Sequence, residues 1–390
     1  MKQKITKRGL NMKYVDEIHG EIFIDDEYAL EIIETKVFHR LKNLKQQGNT
    51  HFVLPGTIHN RFSHSLGVYH VMKLMLQNLE QQGYNIEDYE KRLALLSALL
   101  HDIGHGPFSH CFENITGLNH EIWSGRIIQE HTEMKKVFLK NPRIQKDIIS
   151  VISKDNKFPV IQGLLFSNLG ADKLDYFSRD LFYSGLIQLE NININKIIKG
   201  SKIQQDKVII SPTIINEIEK LFVIKKNLFN TGFASEFVIG KDVLLKMIFK
   251  QASNLFKINQ LKHIPNYLIP ILSNSKSMWS VEQYTELTDS YILESIIHWR
   301  DEEYDDQLKR LCNKYLSKED NLFWDTLDTN NSYQINNDYT EVIQQDPKYG
   351  LYTGGIFLRE NSVLFDLAEK SNLIKDLSKK ENLKSLVYNL

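Results

Sequence analysis

Two cysteines, Cys111 and Cys312, are too few and too far apart for a disulfide framework or a cysteine-based zinc site, and a reducing, cytoplasmic setting fits them best. No run reaches the ~18 consecutive apolar residues that a membrane-spanning helix needs. The most apolar stretch, Leu93-Ala94-Leu95-Leu96-Ser97-Ala98-Leu99-Leu100, has the length of a buried helix core. The basic opening Met1-Lys2-Gln3-Lys4-Ile5 leads into no apolar region of the signal-peptide kind. An excess of one charge is also missing. The 48 basic and 49 acidic residues nearly cancel, which excludes a polycation built to coat nucleic acid and leaves a local basic pocket open. There is no internal repeat and no long low-complexity tract.

What remains is ordinary apolar content, 42% of residues, enough for a sizeable core. The 390 residues allow two or three units, or one large core with an appended lobe. One feature departs from the ordinary. Of 13 histidines, nine fall in residues 39–120, where an even spread would put about three: His39, His51, His59, His64, His70, His101, His105, His110 and His120. Histidine is the commonest metal ligand and the usual acid–base side chain near neutral pH.

Periodicity predicts a short hairpin over 14–26 and a helix over 27–46. Ser63 is expected to cap a helix running to residue 82, and a nearly all-apolar helix follows over 89–102. Helices are expected over 121–131, 143–153 and 168–183, then a hairpin over 202–210 and helix again over 212–257. Residues 279–310 read as helix in two pieces, 328–338 as a polar loop, 352–365 as extended and 366–390 as helical. The chain is expected to be mainly α, a helical core with small β-hairpins and a mixed α+β C-terminal region. A boundary near residue 265 would divide a catalytic core, 1–265, from an oligomerisation or regulatory lobe, 266–390.

Four pieces carry chemistry: Arg61-Phe62-Ser63-His64, His101-Asp102, His120-Glu121 and Ala171-Asp172-Lys173-Leu174-Asp175-Tyr176. The His-Asp pair closes an apolar helix, and two polar groups buried there are costly unless satisfied. A divalent metal satisfies both, through a neutral nitrogen and an anionic oxygen. The pair continues into Ile-Gly-His-Gly-Pro-Phe-Ser-His, so His105 and His110 ride a Gly/Pro-shaped turn beside it. A packing turn needs no such imidazoles. His51 and His70 read as ordinary surface or packing residues. Asp172, Tyr176 and Asp180 recur every four residues and share one helix face, apart from the apolar stripe Leu174, Phe177 and Leu181.

The order His64, His101-Asp102, Asp172 is that of the HD-domain metal-dependent phosphohydrolases. Residues 40–46, Pro55-Gly56 through 59–68, 101–110 and 172–180 closely resemble the deoxynucleoside triphosphate (dNTP) triphosphohydrolases of that superfamily, in the branch that bacterial enzymes share with the vertebrate SAM-and-HD-domain enzyme. The likeness covers roughly residues 14–260. It implies that His64, His101, Asp102 and Asp172 hold a divalent ion (Mg, Mn, Fe, Zn, Co or Ni), with His105 and His120 flanking the phosphates and able to bridge a second ion. It implies His110 as general acid with Glu113 beside it. Arg61, Lys173 and Tyr176 would bind phosphate, and Gln46 and Asp180 the sugar end. The implied reaction attacks the α-phosphorus of a dNTP and releases deoxynucleoside and triphosphate, in a homo-oligomer, dimer or tetramer.

Two departures stand out. In 224–236, where the family carries a basic cluster, Lys225 is still able to reach a phosphate, whereas Asn230, Thr231 and Glu236 replace basic residues of the vertebrate enzyme. Gln47 stands where the family has a leucine against the sugar, within reach of a 2′-hydroxyl. The other readings are an HD phosphodiesterase or nuclease acting on nucleic acid or a cyclic nucleotide, and a nucleotide sensor. The full ligand set and His110 argue against a sensor, and the near-zero charge against a nuclease.

Overall fold

Helix Arg61–Gln81 runs through the middle of the protein because it is apolar on nearly every side. Phe62, Leu66, Val68, Tyr69, Val71, Met72, Met75, Leu76 and Leu79 are all buried along it. In this computed structural model, which describes residues 11–185, 192–204, 207–233, 235–275, 279–317, 323–327, 340–344, 351–379 and 385–389, helices Asp88–Leu100 and Ala171–Ser184 pack against it. The close approach of Ala171–Ser184 depends on Gly67, where a Cβ would stand 1.8 Å from Asp175 Oδ1. Helices His120–Glu130, Pro142–Ile152 and Pro159–Phe166 complete this half.

The chain is mainly α. Its sheets are small: an antiparallel hairpin, Met12–Asp16 with Gly20–Ile24, and two further sheets. The first joins Ser201–Gln204, Lys207–Ile210, Ile356–Glu360 and Val363–Asp366 in that order, with Lys207–Ile210 parallel to Ile356–Glu360. The second pairs Ser385–Asn389 antiparallel to both Phe323–Leu327 and Thr340–Gln344. One apolar core includes side chains from both sides of residue 265, among them Val243, Ile248 and Phe249 on one side and Trp279, Ile296 and Trp299 on the other. No helix among the described residues is long and apolar enough to cross a membrane.

Several elements differ from the sequence expectation. The helix expected over 27–46 is Glu27–Ile33, then Lys36–His39, then a 3-10 turn Arg40–Asn43. Thr35 causes the break: its hydroxyl accepts from Phe38 N and donates to Ile32 O, starting a new helical turn. Asn60, not Ser63, caps the central helix, accepting from Ser63 N. The stretch 212–257 is a 3-10 turn, helix Ile215–Leu228, a π-turn Phe229–Phe233 and helix Glu236–Lys257. Residues 279–310 give three helices, Val281–Thr285, Asp289–Glu302 and the start of Asp306–Leu316, rather than two. The expected terminal helix gives Leu367–Lys370, Asn372–Leu377 and then a strand. The loop over 328–338 and the turn at 205–206 lie outside the described residues.

Candidate metal centre

Three helix ends meet at one buried point. His64 sits in the first turn of Arg61–Gln81, His101 and Asp102 follow the last turn of Asp88–Leu100, and Asp172 lies in the first turn of Ala171–Ser184. His64 Nε2 is 3.2 Å from Asp172 Oδ1 and 3.6 Å from Asp102 Oδ2. His101 Nε2 is 3.3 Å from Asp102 Oδ1 and 3.5 Å from Asp172 Oδ1. Ligands held ~2.1 Å from a common ion stand about 3.0–3.4 Å apart, close to the spacing of His64, His101 and Asp172, whereas Asp102 meets the two imidazoles through different oxygens and also groups with His105 and His120.

The orientation fits as well. His64 Nδ1 donates to Asp175 Oδ2 at 2.7 Å and His101 Nδ1 donates to Ala98 O at 2.9 Å. Both acceptors fix the tautomer and leave Nε2 as a lone pair aimed at the carboxylates. Both Nε2 atoms are buried with no hydrogen-bond partner. Buried orphan acceptors facing two carboxylates are an unfavourable arrangement that a divalent cation resolves. Without one, a proton takes its place. Burial opposes the charged form of His64, but the carboxylates of Asp172 and Asp175 outweigh it and lift its pKa to about 10. Burial likewise opposes the Asp172 anion, and His101 and His64 hold it well below the usual carboxylate range.

Asp175 is a functional residue that the sequence reading passed over. Its fully buried carboxylate accepts from His64, from His19 Nε2 at 2.6 Å, and from Arg179 Nε and Nη2 at 2.9 Å each. Arg179 in turn binds both oxygens of Asp16. The β-hairpin thereby braces His64 through an Asp–Arg–Asp chain. The available signal was Asp175 standing three residues after Asp172, and the helix-face argument favoured the residues four apart. His70, expected to be a packing residue, lies with its ring 5.2 Å from that of His19.

The turn after Asp102 carries His105 and leads into His110 at the start of helix His110–Thr116, and His120 opens helix His120–Glu130. The His105 and His120 rings stack at 3.8 Å, and His105 Nε2 is 3.4 Å from Asp102 Oδ1. Gly104 allows this, since a Cβ there would stand 2.2 Å from His120 O and from Ser124 N. Glu113 holds two imidazoles at once, accepting from His110 Nδ1 at 2.6 Å and His120 Nδ1 at 2.7 Å. Burial would raise Glu113, but these bonds outweigh it and keep it ionised well below the usual carboxylate range. His110 is the exposed member of this group, with its side chain 56% accessible.

Phe108 and Ser109 have φ of 53° and 55°, a strained backbone that needs outside support. Asp289 supplies it. Its Oδ1 accepts from Phe108 N and its Oδ2 from Lys45 N, both at 2.9 Å. Arg40 donates to the carbonyls of His105 and Leu287, and Tyr284 OH to that of Gly104. These supports, too, escaped the sequence reading, because they join residues more than 60 apart in the chain, which local patterns do not encode.

The expected substrate residues are dispersed around this centre. Buried Arg61 binds Asp102 through Nη1 and Ser109 Oγ through Nε and Nη2. Lys173 reaches Asn168 Oδ1 at 3.1 Å and Lys225 reaches Leu351 O at 2.7 Å. Tyr176 lies edge-on to His64, ring centres 6.5 Å apart. Asp180 accepts from His59 at 2.7 Å. Gln46 and Gln47 each bury a side-chain oxygen that has no partner.

The HD domain family model matches residues 61–192. The chain is 30% identical to the uncharacterized protein YwfO of Bacillus subtilis over 308 residues, 78% of this chain and 70% of that protein. It is 28% identical to the deoxynucleoside triphosphate triphosphohydrolase SAMHD1 homolog of Dictyostelium discoideum over 272 residues, 65% of this chain and 52% of that protein. Its fold matches a crystal structure of a phosphohydrolase from Bacteroides thetaiotaomicron with a TM-score of 0.83 at 22% identity, covering 97% and 99% of the two chains.

Proposed function

The chain belongs to the HD-domain family of metal-dependent phosphohydrolases, in the group related to dNTP triphosphohydrolases, and from that premise we propose that it cleaves dNTPs at the α-phosphorus to deoxynucleoside and triphosphate. His64, His101, Asp102 and Asp172 would hold the ion. A divalent ion there supplies Lewis acidity and brings the pKa of water towards 7.

The observation that carries the choice of a polyphosphate is the pair Lys173 and Lys225. Both are largely buried, and each makes its hydrogen bond to a neutral oxygen. Burial lowers both ammonium groups; Asp172 offsets part of this at Lys173, whereas at Lys225 the neighbouring Lys173 adds to it and the group falls to about 8. Adjacent buried cations of this kind are stabilised by a polyanion of high charge density. In this reading Arg61 and Tyr176 join the lysines in binding phosphate, and His105 and His120 flank it. His110, its Nδ1 proton engaged by Glu113, delivers a proton from Nε2 to the leaving 5′-oxygen. Gln46 and Asp180 hold the sugar end. The partnerless oxygen of Gln47 meets a 2′-hydroxyl, which weakens discrimination against ribonucleotides. The active form in this reading is a homo-oligomer.

The test is to incubate the purified protein with each dNTP and each of several divalent metals and to assay inorganic triphosphate. Release of triphosphate supports the reading. Pyrophosphate or orthophosphate as the phosphate product, or turnover only of cyclic nucleotides or nucleic acid, overturns it.

A further inference from the structure

The far end of helix Asp289–Glu302 holds a second cluster of metal-ligating side chains. Asp289, at its start, touches the catalytic turn, and its last turn lies about 20 Å along the axis from there at 1.5 Å per residue. His298 and Glu302 are four residues apart on one face, with His298 Nδ1 2.6 Å from Glu302 Oε1. The His263 ring stacks on His298, centres 4.3 Å apart and planes at 17°. One donor atom from each of the three lies within 4.8 Å of the others.

A surface His–Glu pair on a helix is common and accounts for His298 and Glu302 alone. It does not account for a second imidazole fixed over the pair. His263 N donates to Glu303 Oε1 at 2.7 Å, and Lys262 N donates to both oxygens of the same buried carboxylate at 3.0 Å. On the other side, the buried Trp299 indole donates to His263 O at 2.9 Å. The main chain of His263 is therefore held from two sides before any ligand arrives, and its ring is seated on that of His298. Lys262 sends its ammonium to the Glu302 carbonyl at 3.2 Å. Glu294 and Glu303 add negative charge around His263.

From this arrangement we infer that His263, His298 and Glu302 form a second metal site, for a borderline divalent ion such as Zn2+, Ni2+ or Co2+. Two neutral nitrogens and one anionic oxygen suit those ions and not Mg2+ or Ca2+, which prefer all-oxygen sets. Three protein ligands leave a coordination position to water. The ion displaces the proton now shared by His298 and Glu302, and small side-chain rotations bring the donors to about 3.0–3.4 Å spacing.

Equilibrium dialysis of the full-length protein against Ni2+, followed by metal analysis, tests the site. The wild type is expected to bind one more ion per chain than either His298→Asn or Glu302→Gln. His101→Ala is expected to lose a different ion, and the losses should add in the double variant. Ni2+ should raise Tm more in the wild type than in His263→Asn, whose main-chain contacts are retained, and Mg2+ should make no such difference. Equal ion counts in wild type, His298→Asn and Glu302→Gln, with unchanged metal-free Tm, would overturn the inference.

Discussion

At the candidate metal centre His64 and His101 are each anchored through one ring nitrogen. His64 and His101 each give Nδ1 to a buried acceptor, and Asp175 is itself gripped by Arg179 and His19. At the other end, His110, the proposed proton donor, stands more than half exposed, held through one bond to Glu113 on a short helix after a strained turn. The contrast assigns different work to the two ends. Rigid burial sets a fixed ligand geometry, which an ion needs within a few tenths of an ångström. Exposure lets a proton be replenished from water and lets a substrate enter.

Breaking the rigid end should have the largest effect. Asp102→Ala or His101→Ala is expected to lose both the catalytic ion and hydrolysis, measured by metal analysis and triphosphate release. Normal turnover with a full complement of metal would remove the centre from His101 and Asp102. His110→Ala should separate the two ends, slowing kcat by about 10²–10⁴-fold while metal content stays unchanged. Loss of the ion in that variant would make His110 a ligand. Asp175→Asn keeps an acceptor for His64 but removes the charge. A drop of about 10–100-fold in metal affinity is expected, with substrate KM little changed at saturating metal.

At the outer end, Lys225 carries its charge below pH ~8 and loses it as the pH rises through that value, because burial and Lys173 depress it. The wild-type kcat/KM should therefore fall above pH 8, by roughly tenfold for one charge-assisted bond, and Lys225→Arg should flatten the fall. A wild-type profile with no inflection near 8 would take Lys225 out of the phosphate site. The smallest effect is expected at Gln47. Gln47→Leu should sharpen the preference for dNTP over rNTP, by less than about tenfold in the kcat/KM ratio. An unchanged ratio would leave the Gln47 oxygen with no part in sugar choice.

Local chemistry was the legible part of this molecule. His101-Asp102 as a metal-seeking pair followed from residue type at a helix end, the full set with His64 and Asp172 followed from the family resemblance, and the structure brings all four together. Five of the helices within 61–184 followed from apolar periodicity, and the short helices His110–Thr116, Thr132–Phe138 and Pro159–Phe166 did not. The breaks at Thr35 and within 229–233 did not, because a hydroxyl cap and a π-turn leave the apolar spacing almost undisturbed. Asp175, His19 and Asp289 were out of reach for another reason. Each acts by bonding a residue more than 60 positions away, or by facing away from the polar line that the pattern picked out.

One carboxylate bonds both the Lys45 and the Phe108 amides. Neither amide can exchange its hydrogen with solvent without releasing Asp289 or sharing in its release. The loop bearing Lys45 and the turn bearing His105 and His110 thereby share one anchor at the start of helix Asp289–Glu302, and hydrogen exchange at the two amides is expected to rise together when that anchor is lost. A variant that loosens that helix is expected to expose both amides at once, although none of its residues belongs to the candidate ligand set.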